Sequence, residues 1–202
     1  MTLRNWKNRF LGTPWVYDTL RPIVVGGLDL GALARFCNTT PGERIFDLGC
    51  GTAQLVGHLR FDRYLGVDLD PVALSRASRL ASPRIRFLEG DGWDGEFSSM
   101  NPTCILMIGV VHHLPDDAFG NLVGRLRAGD PQRRRLIAID VTYFTGMPVN
   151  NLLSRLDRGR HVRDVESYRR LYGACGLRIA RKEELPTRAG YVRYIGFDLR
   201  FG

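Results

Sequence analysis

A chain of 202 residues with 44% hydrophobic side chains can bury one core of ordinary size but has little sequence left for a second. Its formal charge of +8 raises the question of nucleic acid. Only Lys7 and Lys182 of its 29 basic residues are lysines, however, and the arginines form no basic tail, which favours a dispersed, solvated surface. No apolar run of about 18 residues calls for a membrane span, the polar and basic start is unlike a secretory leader, and Cys37, Cys50, Cys104 and Cys175 lack ligand spacing, so a reducing, cytosolic setting without disulfides or a metal site is expected.

The elements alternate between strand and helix. Residues 1–40 read as an N-terminal helical cap, with helical segments at 15–20 and 28–36, and residues 41–202 as one α/β core. Strands are expected at 44–48, 64–68 and 85–89, and helices at 53–60 and 71–80. Asp70 caps the second helix and Pro71 opens it. The continuous apolar run 104–111 fits a central parallel strand covered on both faces. A helix at 117–127, a fifth strand at 136–141 and a helix at 165–172, capped by Asp164 and ended by Gly173, follow. Apolar runs at 177–180 and 191–199, joined by the turn-prone 186–190, read as a closing hairpin. The whole predicts a Rossmann-like, doubly wound, mostly parallel seven-stranded sheet with an antiparallel C-terminal strand.

The chemistry concentrates where strands end. Asp47-Leu48-Gly49-Cys50-Gly51-Thr52 stands between a buried strand and a helical pattern, where glycines let backbone approach a ligand and free amides favour anionic groups. Asp68, at the end of the second strand, occupies the position from which an acid on such a sheet accepts from ribose hydroxyls. Asp91, with Gly92, follows the third strand on the same rim, as an adenine contact or simply as a turn residue. A nicotinamide site is disfavoured, because Gly49-Cys50-Gly51 has no third glycine and a carboxylate at Asp47 would repel a pyrophosphate.

Together these segments resemble the class I methyltransferases that use S-adenosylmethionine (SAM), over roughly residues 40–200. The resemblance implies that Asp47, Gly49, Cys50 and Gly51 surround the methionine part of SAM, that Asp68 binds the ribose and Leu69 the adenine face, and that Asp91 and Gly92 read the adenine edge. Ile108-Gly109-Val110-Val111-His112-His113-Leu114-Pro115 is similar to the segment after strand four of small-molecule members, with Ile108 and Gly109 under the methionine. Two departures are Ala53 in place of a third glycine, and Pro102-Thr103-Cys104 where an aspartate often precedes strand four.

Methyl transfer from a sulfonium needs alignment, exclusion of water and, for some acceptors, removal of a proton. His112 and His113 are the candidate bases, with helix capping or packing as the alternative. Segment 143–163 is placed to cover an acceptor, and Tyr143, Arg158, Arg160 and His161 are its candidate contacts, the arginines being otherwise paired with Asp157 and Asp164. A small-molecule acceptor is the leading expectation. An RNA or protein methyltransferase and a non-catalytic SAM-binding module are the alternatives, since fold alone does not settle function.

Overall fold

The computed structural model describes residues 27–202 apart from 156 and 158. The predicted helix at 15–20 lies outside the described residues. Helix α1 (Leu30–Cys37) is capped by Asp29, whose carboxylate accepts from the Ala32 amide at 2.9 Å. Strands β1 (Arg44–Leu48), β2 (Arg63–Asp68), β3 (Ile85–Glu89), β4 (Cys104–Ile108) and β5 (Arg135–Tyr143) run parallel. Strand β7 (Leu177–Pro186) and β8 (Arg193–Phe201) form the expected hairpin, and β8 lies antiparallel to β5. The main sheet therefore reads β3-β2-β1-β4-β5-β8-β7, and the two-residue β6 (Arg163–Asp164) pairs with β5 outside that order.

This order explains where a ligand can sit. The chain winds outward from β1 to β3 and then returns to β4 on the other side of β1, so the connections leaving β1 and β4 diverge at their carboxyl ends. A crevice at such a switch point lets a ligand reach the loops without breaking the sheet. Strand β4 is apolar throughout because both faces are covered. Strand β5 alternates: Leu136 and Ala138 join the core under one face, and Ile137, Ile139 and Val141 the core under the other.

The helices agree with the sequence in part. Helix α2 (Pro71–Ala77) starts at Pro71 with Asp70 as cap and continues as a short 3-10 turn to Leu80. Helix α4 (Asp116–Leu126) buries Phe119, Val123 and Leu126, and α6 (Val165–Ala174) is capped by Asp164 onto the Ser167 amide at 2.7 Å. The helix expected at 53–60 is absent. Ala53 has φ +55°, a left-handed conformation that cannot open an α-helix, and only a single 3-10 turn (Val56–His58) follows. Two further helices, α3 (Asp94–Met100) and α5 (Pro148–Arg155), lie where the sequence shows polar, turn-prone residues.

Several arginines are structural. Arg134 is buried, donates to the carbonyls of Pro102, Leu126 and Ala128, and lies 4.7 Å above the Phe97 ring. Its carbonyl partners include the C-terminal end of α4, where a cation is favoured. Arg135 pairs with Glu43 at 3.0 Å and Asp198 at 3.6 Å. Among the described residues no helix is long and apolar enough to cross a membrane.

Candidate active site

The first half of the site is built by the ends of β1 and β2. Asp47 is buried at the register position between Gly66 of β2 and Leu106 of β4. Its Oδ2 accepts from the Tyr64 hydroxyl at 2.6 Å. Burial pushes the Asp47 carboxyl up to about 7, against the Tyr64 hydrogen bond, which lowers it, and with the help of the nearby Asp68 charge. Burial and the Asp47 charge hold Tyr64 well above its ordinary value, so the phenol remains the donor. Sequence reading missed Tyr64, whose role arises only from strand pairing.

The loop after β1 turns at once. Gly49 has φ +76°, and a Cβ there would stand 2.5 Å from Val110 Cγ2, so only glycine lets the β1 and β4 loops approach this closely. The amides of Gly49 and Cys50 bond to the Val67 carbonyl, and that of Gly51 to Asp68 Oδ2 at 2.7 Å. The other Asp68 oxygen accepts from the Asp70 amide at 2.9 Å. Asp68 thus clamps the glycine loop onto β2, and an ionised carboxylate with about four acceptor positions keeps capacity for a further donor. Leu69 beside it is half-buried.

On the third rim, Asp91 and Gly92 are exposed, and the Asp91 carbonyl accepts from Arg125 at 2.6 Å. Arg125 also pairs with Asp94 and lies 4.0 Å over the buried Trp93 ring, fixing this loop to α4. Among the described residues, a Cβ at Gly51, Gly90 or Gly92 would meet nothing within 4 Å, so backbone at these loops is open, and the rim they share is the trough where a ligand can lie. Ile108 ends β4, and the Gly109 amide bonds to the Ile139 carbonyl at 2.7 Å, which fixes the start of the loop that follows β4. A buried carboxylate at one end, a second acid on the rim and backbone close against a bare trough suit a ligand with an ammonium group and vicinal hydroxyls.

The second half holds His112, fully buried beside Gly109, whose Cβ would stand 3.8 Å from His112 Cε1. His112 Nδ1 is 2.5 Å from Asp140 Oδ1, which also accepts from the His112 backbone amide. Nε2 stands 3.1 Å from Asp157 Oδ1, at ion-pair distance but off the direction of a good hydrogen bond. Burial alone would lower the imidazole pKa; the Asp140 hydrogen bond and the charges of Asp140 and Asp157 overcome it and raise the group to about 9. The second Asp140 oxygen is buried without a hydrogen-bond partner among the described residues. The His113 ring lies 4.0 Å from that of His112.

A loop closes over this histidine. Gly159 packs so tightly that a Cβ would fall 1.9 Å from His112 Cδ2, its amide bonds to Asp157 Oδ1 at 2.8 Å, and the His161 amide bonds to the His112 carbonyl at 3.0 Å. Burial and Arg163 lower the His161 pKa. Arg163 donates to the carbonyls of Val111, His161 and Leu114 and pairs with Asp116, tying the loop to the start of α4. Arg160 is exposed, and Arg158 lies outside the described residues. Tyr143 sits elsewhere: with Phe144, Met147, Asp164, Glu184 and Arg193 it lines an open groove of about 660 Å³ beyond β5. None of the cofactor candidates lines that groove, so it stands apart from the trough. Asp157, read from the sequence as an arginine partner, faces His112 instead, and Asp140 and Asp157, 28 and 45 residues from His112, are brought to it only by the fold.

Residues 45–129 match a protein family described as a methyltransferase domain. The fold is that of the mitomycin 7-O-methyltransferase MmcR, at 21% identity and TM-score 0.65 over 86% of this chain and 53% of that one. It is equally that of the pyocyanin biosynthetic protein PhzM, at 19% identity and TM-score 0.67 over 99% and 62%. The magnesium protoporphyrin IX methyltransferase of Synechocystis PCC 6803, solved with bound SAH, aligns at 18% identity and TM-score 0.60 over 99% and 94%. This chain thus spans little more than half the length of the first two. No curated protein matches the sequence.

Proposed function

From the premise that the chain carries a class I SAM-dependent methyltransferase domain, we propose that it methylates a small-molecule acceptor held between the trough and the loop over His112. Bound SAM supplies a methyl group already activated by its sulfonium. The residues of this chain have the remaining tasks. Asp47, with Gly49, Cys50 and Gly51, receives the methionine end; its carboxyl, easily protonated in the bare site, ionises fully against an ammonium group. Asp68 takes the ribose, Leu69, Asp91 and Gly92 the adenine, and Ile108 and Gly109 floor the trough. Where the acceptor must lose a proton, His113 is the candidate base of the bare cluster, because His112, raised to about 9 between Asp140 and Asp157, already carries its proton near neutral pH; Asp140 is the positioning residue that fixes the His112 ring.

The contact that carries the small-molecule reading is the packing of Gly159 onto His112, which roofs the loop after β4 beside Gly109. A covered site suits a ligand that can be enclosed, whereas a polymer needs an open path. The arginines that raise the net charge are in several cases committed to internal carbonyls and acids, which weakens the electrostatic case for RNA. Arg158, Arg160 and His161, in the covering segment 143–163, are the candidates for holding the acceptor, and Tyr143 is a more distant one. The test is transfer of radiolabelled methyl from SAM by the purified protein into cell extract fractionated into metabolites, RNA and protein. Label in the metabolite fraction is expected. Label confined to RNA or protein overturns the acceptor class, and SAM binding without any transfer would leave a binding module.

A further inference from the structure

The cluster beside the trough has the composition and spacing of a metal site. His112, His113 and Asp157 each offer one ligand atom, and the three atoms lie within 4.8 Å of one another. His112 Nε2 and Asp157 Oδ1 are 3.1 Å apart without good hydrogen-bond geometry. Two ligand atoms on a tetrahedral ion with bonds of about 2.1 Å stand roughly 3.4 Å apart, so the pair needs to open only slightly to admit one. On its far side His112 donates from Nδ1 to Asp140 at 2.5 Å, the carboxylate-histidine arrangement that fixes a metal-binding imidazole with Nε2 facing the ion. Asp157 is also held: its Oδ1 accepts from the Gly159 amide, and its side chain is 4% exposed. Sequence spacing gave no such pattern because Asp157 lies 44 residues beyond His113.

We propose that His112, His113 and Asp157 bind a divalent first-row ion of the zinc type. Two imidazoles and one carboxylate select such an ion over calcium or magnesium, and three protein ligands leave a coordination position for an exogenous oxygen. The site adjoins Gly109 at the end of the trough, so the open position would take an acceptor hydroxyl or carbonyl and hold it for methylation. That last role depends on the proposed methyl transfer; ion binding itself does not.

The test uses the chelator-treated chain titrated with Co²⁺, followed by visible ligand-field absorption, and with Zn²⁺, followed by calorimetry. Wild type is expected to bind one equivalent of either ion. Asp157→Asn and His113→Gln, both checked for folding by circular dichroism, should each bind at least tenfold more weakly. Asp140→Asn should weaken binding by about 10- to 100-fold while the three ligands remain. Absence of saturable binding in wild type, or equal affinity in the Asp157 and His113 variants, overturns the assignment and leaves the cluster as an ion pair alone. SAM binding measured on the same preparation keeps the two readings separate, since its failure counts against methyl transfer and not against the ion site.

Discussion

Replacing Asp47 by asparagine separates what this carboxylate costs the fold from what it contributes to the ligand. Burial is the main cause of the rise from 3.8 to about 7, so the ligand-free native state holds the proton far more tightly than the unfolded chain. At 1.36 kcal/mol per unit, the ionised group destabilises the bare protein by about 4 kcal/mol at pH 8 as an upper figure. Because the folded value lies above the unfolded one, its favourable contribution is complete below about pH 4 and is lost as pH rises through about 7. An asparagine retains an oxygen for the Tyr64 hydroxyl and removes the titration. Urea unfolding in pH steps from about 4 to 8 should show a variant more stable than wild type at pH 8, by on the order of 2–4 kcal/mol, with the gap closing toward pH 4. The same variant should bind SAM at least tenfold more weakly at pH 8 by calorimetry. Parallel stability profiles, or a variant less stable than wild type at pH 8, would refute the reasoning.

Other substitutions probe the remaining parts of the site. Gly49→Ala places a methyl 2.5 Å from Val110 at φ +76°, and should cost at least about 2 kcal/mol in urea unfolding along with most of the SAM affinity; wild-type stability would contradict the close approach. Asp68→Ala removes the acceptor for the Gly51 and Asp70 amides together with the proposed ribose contact, and SAM affinity by calorimetry should fall at least tenfold. An unchanged value would sink the ribose assignment. Gly159→Ala cannot keep the loop on His112, and should lower kcat/KM for the acceptor at least tenfold with SAM affinity within twofold of wild type. Equal turnover would show that the cover is not used.

The fold was legible wherever one segment carried its own signal. The apolar run of β4, the Asp70-Pro71 start of α2 and the Asp164 cap of α6 each declare an element locally, and the structure has all three. Helix α5 was hidden because its stability comes from elsewhere. Asn150 donates to the Thr142 carbonyl and accepts from the Arg193 amide, and Asn151 exchanges two hydrogen bonds with Phe144, so residues of poor helix propensity are held by the ends of β5 and β8. The helix expected at 53–60 failed for the opposite reason, a single backbone angle at Ala53 that its apolar neighbours do not reveal.

The two halves of the site divide along the same line. Asp47, Gly49, Asp68 and Gly109 stand at or just after the ends of strands that the sequence marks, and the family resemblance points to a shared rim. The His112 cluster has no such signature. Its partners come from the end of β5 and from a loop 45 residues away, and their meeting depends on Gly159 having no side chain and on Arg163 pinning the loop to the start of α4. The proposed cofactor residues are therefore fixed by the sheet itself, whereas the proposed acceptor side hangs on one glycine contact and one arginine. Under the proposed methyl transfer, substitutions in segment 157–163 are expected to change acceptor preference without changing SAM affinity, because that segment is tied to the His112 loop and not to the ends of β1 and β2.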